Sequence, residues 1–396
     1  MSDSTPMQPA LPPGLDELTE EEIRAAVGQL LVVGFEGATT TPPGAIERAL
    51  AEDRIGGVIL FRRNVDTVDQ VVELNEAVHE AAADDVEAPF ICIDQEGGRV
   101  VRVRDPLTPI PTMRAVGRTR DRRLVSEVSE VIATEVGALG FNINFAPVLD
   151  VDTNPDNPVI GDRAFSDSPE QVARCAGAYL LGHHTAGVIP CGKHFPGHGD
   201  TLLDSHKDLP TVDHDRERLD AVELLPFRRM ITADIPMLMT AHVMVPKLDS
   251  EYPATLSRRI MTDLLREEMG YEGVVVSDDL EMKAVADRYE VDEMLERGLK
   301  AGVDLFLICH TEDKWRSGYD FLVERALEDN RMLLHVIRAA ERVRSLKQSY
   351  LGNLRRPWSR FDNWRDLLGC DEHREIMARV PDQPDTPAND PTEWKG

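Results

Sequence analysis

The chain has 396 residues, 42% of them hydrophobic, so it can bury one large core or the cores of two ordinary domains. Its 71 acidic and 44 basic residues give a formal net charge of -27, and a surface of that sign repels phosphate backbones and anionic membranes. Nucleic acid and membranes are therefore not expected as partners.

Residues 1–16 contain several prolines and an acidic residue where a secretory signal needs a basic start and an apolar run. No stretch approaches the roughly 18 apolar residues of a spanning helix. The five cysteines are dispersed and form no C-x-x-C pair, which is typical of reduced thiols. These features predict a mobile N-terminal segment at 1–16 and a cytoplasmic location.

From about residue 20 to about residue 350, short runs rich in Val, Ile and Phe alternate with helical patterns. Eight runs are predicted as strands: 30–35, 57–61, 89–93, 141–147, 188–193, 236–241, 273–277 and 303–308. Apolar residues at three and four spacing predict helices at 65–83, 124–139, 171–185, 258–269 and 292–301. This alternation predicts an α/β fold, a single (β/α)8 TIM-type barrel. A doubly wound sheet is disfavoured because no G-x-G-x-x-G follows the first strand.

The two ends of the barrel region differ in composition. Residues 355–370 contain two tryptophans, a phenylalanine and two leucines, and they predict a closing helix that completes a catalytic domain over 17–370. Residues 371–396 mix Asp, Pro, Asn and Thr without apolar periodicity, so they are predicted to form a disordered acidic tail.

Polar side chains directly follow the predicted strands, and the carboxyl ends of all strands in such a barrel meet on one rim. The groups placed together in this way are Asp94, Arg102, Asp150, Asp152, Arg163, Lys193, His194, Asp278 and Asp279. Carboxylates, an imidazole and cations around one cavity predict acid/base or nucleophilic chemistry on a hydroxyl-rich ligand.

Asp278 and Asp279 follow an apolar strand, where an aspartate often caps the next helix. Both cannot cap, and the one nearer the strand points toward the barrel axis. Asp278 is therefore the candidate for catalysis.

His206 lies two residues after Asp204, in a loop rich in Gly and Pro. The carboxylate can hold one ring nitrogen, and the imidazole can then exchange protons near neutral pH. The alternative is an ordinary solvated loop histidine.

His194 and His198 have the i, i+4 spacing of helical zinc ligands. Pro196 and the glycines around it make a helix implausible there, so no metal site is expected.

Four ordered segments resemble those of the bacterial glycoside hydrolase family 3 β-N-acetylhexosaminidases, the cytoplasmic kind that works in peptidoglycan recycling. They are residues 93–100 (IDQEGGRV), 193–201 (KHFPGHGDT), 204–206 (DSH) and 277–280 (SDDL). The resemblance covers nearly the whole barrel, and it is to the compact type, for which no second sandwich domain is expected after the barrel.

The resemblance implies a retaining exo-β-N-acetylglucosaminidase that removes terminal non-reducing N-acetylglucosamine from muropeptides through a covalent glycosyl-aspartate. It implies Asp278 as the nucleophile and His206, paired with Asp204, as the acid/base. It implies that the sugar is bound by Asp94, Arg102, Arg163, Lys193 and His194. A monomer without a cofactor is expected.

An imidazole acid/base suits this chemistry because a neutral base can deprotonate water without placing a second negative charge beside the nucleophile. Retaining glycosidases ordinarily use two carboxylates. The loop composition predicts that His206 closes over the bound sugar.

Three alternatives remain open from the sequence. Phosphate could replace water as the acceptor on the same site. A metal-dependent hydrolase could use His194, His198, Asp200 and His206 as ligands. The barrel could also bind sugar without catalysis.

Overall fold

The computed structural model describes residues 12, 14–82, 87–201, 209–352, 363–381 and 390–392. Eight parallel strands close into a barrel in the order β1-β10-β9-β8-β7-β6-β3-β2. They are β1 Leu31–Val33, β2 Gly57–Leu60, β3 Phe90–Ile93, β6 Ile143–Asn144, β7 Ile189–Phe195, β8 Met237–Thr240, β9 Val274–Asp279 and β10 Leu305–Ile308. Two further strands, β4 Gln95–Gly97 and β5 Val100–Val101, form an antiparallel hairpin after β3. The predicted (β/α)8 barrel is confirmed.

Helices surround the barrel and follow the strands in turn. They are α1 Glu20–Gly28, α2 Gly44–Ala51, α3 Val68–Ala81, α4 Met113–Arg118, α5 Arg122–Ala138, α6 Pro169–Ala186, α7 Arg216–Ala221, α8 Leu224–Thr232, α9 Lys283–Ala286, α10 Val291–Ala301, α11 Glu312–Glu328, α12 Asn330–Tyr350, α13 Trp364–Leu367 and α14 Asp371–Ala378. The segment Arg259–Glu268 has π-helical hydrogen bonding. None of the helices in the described residues has the length and apolar character needed to cross a bilayer.

Local sequence signals explain how α6 delivers the chain to β7, the strand that carries Lys193. The Ser168 side chain accepts the Gln171 amide at the helix start, and Pro169 occupies the first turn, where its missing N–H costs nothing. The helix ends at Gly187, whose φ of 74° is a left-handed conformation that suits glycine. This αL cap turns the chain directly into β7.

All eight predicted strands are present, but each has limits that differ by one or more residues from the predicted ones. The strand predicted at 141–147 is reduced to Ile143–Asn144, because Pro147 carries no N–H for a ladder hydrogen bond. The strand predicted at 188–193 extends to Phe195. Helices α11 and α12, which the sequence analysis did not single out, complete the ring.

The C-terminal expectations need correction. Of the closing helix predicted at 355–370, residues 355–362 lie outside the described part, and the rest contains only the single turn α13. Residues 371–378, expected to be disordered, form α14. A buried carboxylate explains this order: Glu135 of α5 accepts the Gly369 amide at 3.0 Å and lies 2.7 Å from His373 Nδ1.

Candidate active site

The inward-facing side chains change from apolar to ionisable along the barrel strands. Side chains alternate along a strand, so every second residue faces the interior. The lower layers are buried and apolar, and include Phe90, Cys92, Ile189, Cys191, Val274 and Val276. The next inward positions are Asp94 after β3, Lys193 in β7 and Asp278 in β9. The charged groups therefore form the upper layer of the barrel, at its carboxyl end.

A cavity opens above this layer. Six of the sequence-predicted site residues line it: Asp94, Arg102, Arg163, Lys193, His194 and Asp278. The two remaining predictions, Asp204 and His206, lie outside the described residues. The structure thus brings these six side chains together around one cavity.

Buried ion pairs connect four of the residues around the cavity. Lys193 Nζ lies 2.7 Å from both Asp94 Oδ1 and Glu96 Oε1. Arg163 donates to both oxygens of Glu96, each at 2.8 Å. The Lys193, Glu96 and Arg163 side chains are each 2% exposed. Such bidentate geometry fixes the orientation of every partner.

These contacts keep the network charged. Burial raises the pKa of Glu96, but Arg163 and Lys193 outweigh it and hold the pKa well below its usual range. Burial lowers the pKa of Lys193, but Asp94 and Glu96 raise it above its usual value. The same balance, with Lys193 and Arg102 as the cations, lowers the pKa of Asp94. Each member is therefore ionised at neutral pH.

His194 is oriented by Asp150, a fully buried carboxylate. Its Nδ1 lies 2.7 Å from Asp150 Oδ2, while Asp150 Oδ1 accepts the His198 amide at 2.7 Å. Burial raises the pKa of Asp150, but the two histidines hold it below its usual value. His194 thus faces the cavity with one ring nitrogen already engaged.

His198 also lines the cavity, in a neutral form. Its Nδ1 lies 2.7 Å from Thr201 Oγ1, and its buried Nε2 has no hydrogen-bond partner among the described residues. Burial lowers the pKa of His198 to about 4, although Asp150 opposes this. A neutral imidazole nitrogen is available to a ligand hydroxyl here.

The two aspartates at the end of β9 have different surroundings. Asp279 Oδ1 accepts the amides of Glu281 at 3.1 Å and Cys309 at 3.2 Å, and its Oδ2 lies 3.2 Å from His310 Nε2. Asp278 is half-buried, and its Oδ1 accepts the Asp279 amide at 2.8 Å. Asp279 therefore joins β9 to the segment after β10, whereas Asp278 presents its carboxylate to the cavity. Met282, not Asp279, occupies the N-cap of α9.

The candidate metal ligands have other partners. Asp200 Oδ2 lies 2.5 Å from His214 Nε2, and Asp200 Oδ1 accepts from Thr153 at 2.9 Å. His194 and His198 are engaged as described above. Within the described ranges, no group of three His, Cys, Asp or Glu side chains could hold a metal ion. The fourth candidate ligand, His206, lies outside them.

Several residues in or beside the cavity were not proposed as ligand-binding from the sequence. His198 lies within the segment 193–201, and Glu96 and Asp150 follow predicted strands, so their positions were an available signal. Glu96 and Asp150 do not line the cavity, but they contact Arg163, Lys193 and His194, which do. Phe61 and His310, which stack at 5.8 Å between ring centroids, also border the cavity. Thr392 reaches it from the far end of the chain, where no sequence signal pointed to it.

Barrel enzymes bind their ligands at the carboxyl end of the strands, which is where the charged side chains of this chain meet. Residues 22–346 match the glycosyl hydrolase family 3 N-terminal domain. The chain belongs to this family and is a glycoside hydrolase.

Known relatives agree with this assignment. The chain is 42% identical over 290 residues to β-hexosaminidase A of Pseudoalteromonas piscicida; the match covers 68% of this chain but only 48% of that protein. It is similar to the family 3 β-N-acetylglucosaminidase of Paenibacillus sp. str. FPU-7 (TM-score 0.83, 38% identity, 92% of this chain and 68% of that one). It is also similar to NagZ of Neisseria gonorrhoeae in complex with N-trifluoroacetyl-D-glucosamine (TM-score 0.72, 30% identity, 89% of this chain and 97% of that one).

Proposed function

We propose that this glycoside hydrolase is a retaining exo-β-N-acetylglucosaminidase. It releases terminal non-reducing β-linked N-acetylglucosamine from peptidoglycan-derived muropeptides. The sugar is supported by the names of the relatives and by the glucosamine derivative bound to the Neisseria gonorrhoeae protein. The muropeptide class rests on the resemblance to the peptidoglycan-recycling type. The monomeric state and the cytoplasmic location remain predictions.

In this reaction, Asp278 attacks the anomeric carbon while the bond to the leaving oxygen breaks. His206, as imidazolium, gives its proton to that oxygen, and Asp204 holds the ring. Water then adds to the anomeric carbon, neutral His206 takes the water proton, and the bond to Asp278 breaks. The two displacements return the sugar with its original β configuration and restore both groups.

The main support for this proposal is that, among the described residues, the Asp278 carboxylate is not paired with a cation in the way that the Asp94 carboxylate is. Asp278 lies half-buried at the cavity, while Asp94 beside it is committed to Lys193 and Arg102. A nucleophile must reach the ligand, whereas binding groups must be held in fixed directions. Asp278 meets the first requirement and the Asp94 network meets the second.

Recognition of the sugar follows from the same network. Sugar hydroxyls both donate and accept hydrogen bonds, so they fit a wall in which carboxylates alternate with cations. Asp94 offers carboxylate oxygens, Arg163 and Lys193 offer N–H groups, and His194 and His198 offer ring nitrogens. These groups surround one terminal sugar, in keeping with exo action.

The test is hydrolysis of p-nitrophenyl N-acetyl-β-D-glucosaminide and of a muropeptide carrying the same terminal sugar, compared with the β-glucoside. We expect both N-acetylglucosaminides to be cleaved with retention and the glucoside to be a poor substrate. Parallel reactions with and without phosphate separate hydrolysis from phosphorolysis, because only phosphorolysis yields the sugar 1-phosphate. Activity that disappears with a chelator and returns with zinc would contradict the proposal.

A further inference from the structure

The C-terminal residues 390–392 lie at the cavity, beside Arg102. Asp390 Oδ2 lies 2.5 Å from Arg102 Nη1, and Thr392 Oγ1 accepts from Arg102 Nη2 at 2.7 Å. Asp390 Oδ1 accepts both the Thr392 amide at 2.8 Å and the Thr392 hydroxyl at 2.7 Å. One carboxylate oxygen thus fixes the local turn, and the other pairs with the arginine.

Charge balance indicates what this contact does. The connected network contains three cations, Arg102, Arg163 and Lys193, but only two carboxylates, Asp94 and Glu96. Asp390 is the third carboxylate. The Arg102 side chain is 3% exposed, and a buried guanidinium with an incomplete set of counter-charges is costly.

The donors of Arg102 indicate how a ligand is accommodated. Each terminal nitrogen carries two N–H groups. Nη2 uses its two on Asp94 and Thr392, and Nη1 uses one on Asp390. Among the described contacts, this leaves one Nη1 N–H and the buried Nε N–H without a partner. The Nη1 N–H can meet a ligand hydroxyl, in a direction fixed by the three partners.

We propose that Asp390 and Thr392 are positioning residues of the sugar pocket: they hold the Arg102 guanidinium in the orientation that binds the terminal sugar. Residues 390 and 392 thereby belong to the sugar pocket. This inference rests on the proposed function, in which Arg102 binds the sugar. Its consequence is confined to affinity, because neither residue contacts Asp278.

The test uses the full chain with Asp390→Asn, Thr392→Val and the double variant, and measures KM and kcat separately on p-nitrophenyl N-acetyl-β-D-glucosaminide. We expect KM to rise about tenfold for Asp390→Asn and about threefold for Thr392→Val, since hydrogen bonds to a charged group are weakened. The change in kcat should stay within about twofold. Glu375→Gln is the control, because it also replaces a carboxylate by an amide, but at an exposed position of α14. It should leave both KM and kcat unaltered.

Arg102→Lys separates failure of this inference from failure of the sugar-site assignment. If Arg102→Lys raises KM and Asp390→Asn does not, the positioning role is wrong while the sugar site stands. If neither raises KM, Arg102 does not bind the sugar. A KM below that of the wild type in Asp390→Asn would show that the segment competes with the substrate, and this also overturns the inference. A lower melting temperature with an unchanged KM would make the contact purely structural and contradict it.

Discussion

Two lysines, one at each end of the barrel, are equally buried, but the pKa is shifted in opposite directions in the two. Lys193 and Lys347 are each 2% exposed. At the carboxyl end, Lys193 contacts two carboxylates at 2.7 Å, and its pKa is raised. At the opposite end, Lys347 of α12 donates to Gln29 Oε1 at 2.6 Å and to the Gly56 carbonyl at 2.9 Å. Burial lowers the pKa of Lys347 to about 8, despite the more distant Asp53.

The difference shows that carboxylates in direct contact can outweigh burial and raise the pKa of a buried lysine, whereas contact with neutral acceptors leaves the pKa lowered. The carboxyl end maintains full charges that a polar ligand can meet, at the cost of desolvating every ion. The other end closes the barrel with neutral acceptors and the Phe90 ring, 4.9 Å from Lys347 Nζ. The ion pairs around Lys193 suit a ligand-binding site. The neutral contacts of Lys347 suit a residue that only closes the opposite end of the barrel.

Removing one carboxylate from the ion-pair network at the carboxyl end should have the largest effect on stability. Glu96→Gln keeps the shape but leaves Arg163 and Lys193 short of one carboxylate, so the free energy of unfolding should fall by about 3–5 kcal/mol. Urea unfolding measures this. Glu312→Gln, in an exposed pair with Arg316, is the control and should change stability by less than about 1 kcal/mol. Equal losses of unfolding free energy in the two variants would show that the buried ion pairs contribute no more to stability than an exposed pair, which contradicts the prediction.

Replacing each lysine with methionine should reduce kcat/KM strongly at the carboxyl end of the barrel and little at the opposite end. Lys193→Met removes a proposed sugar donor and leaves Asp94 and Glu96 underpaired, so kcat/KM should fall about a hundredfold or more. Lys347→Met should keep kcat/KM within about threefold, because Lys347 lies at the opposite end of the barrel. Steady-state kinetics of both variants measures the contrast. A comparable loss in Lys347→Met would contradict it.

The pH dependence of stability should sharpen the comparison further. The pKa of Lys347 is about 8 in the folded chain and near 10.5 when unfolded, so the unfolded state binds more protons between these values. Stability contributed by this group therefore rises as pH increases from about 8 to 10.5, by about 3 kcal/mol. The difference in unfolding free energy between wild type and Lys347→Met isolates it, because other titrating groups cancel. A difference that is constant over this pH range would show that Lys347 titrates normally.

The inward layer of the site could be predicted because strand geometry is periodic. Asp94, Lys193 and Asp278 each lie two residues beyond a buried apolar residue on the same face, so their place above the barrel interior follows from alternation. Their partners could not be predicted in the same way. Glu96 lies in a hairpin strand whose side-chain direction depends on how β4 pairs with β5.

Contacts between distant parts of the chain were beyond sequence reasoning. Asp390 meets Arg102 across 288 residues, and its segment has no periodicity that could place it. Lys347 occurs in an amphipathic helix as an ordinary lysine, and its burial depends on where the end of α12 packs against the barrel. The helix α14 depends similarly on Glu135 of another helix.

The central claim is that Asp278, and not its neighbour Asp279, forms a covalent bond to the sugar. Incubation with a slow fluorinated N-acetylglucosaminyl substrate should trap the glycosyl-enzyme, and mass spectrometry of its peptides should locate the label. We predict one sugar per chain, attached to Asp278 and absent from Asp278→Ala. Label on Asp279, or no label while the substrate turns over, would contradict this assignment.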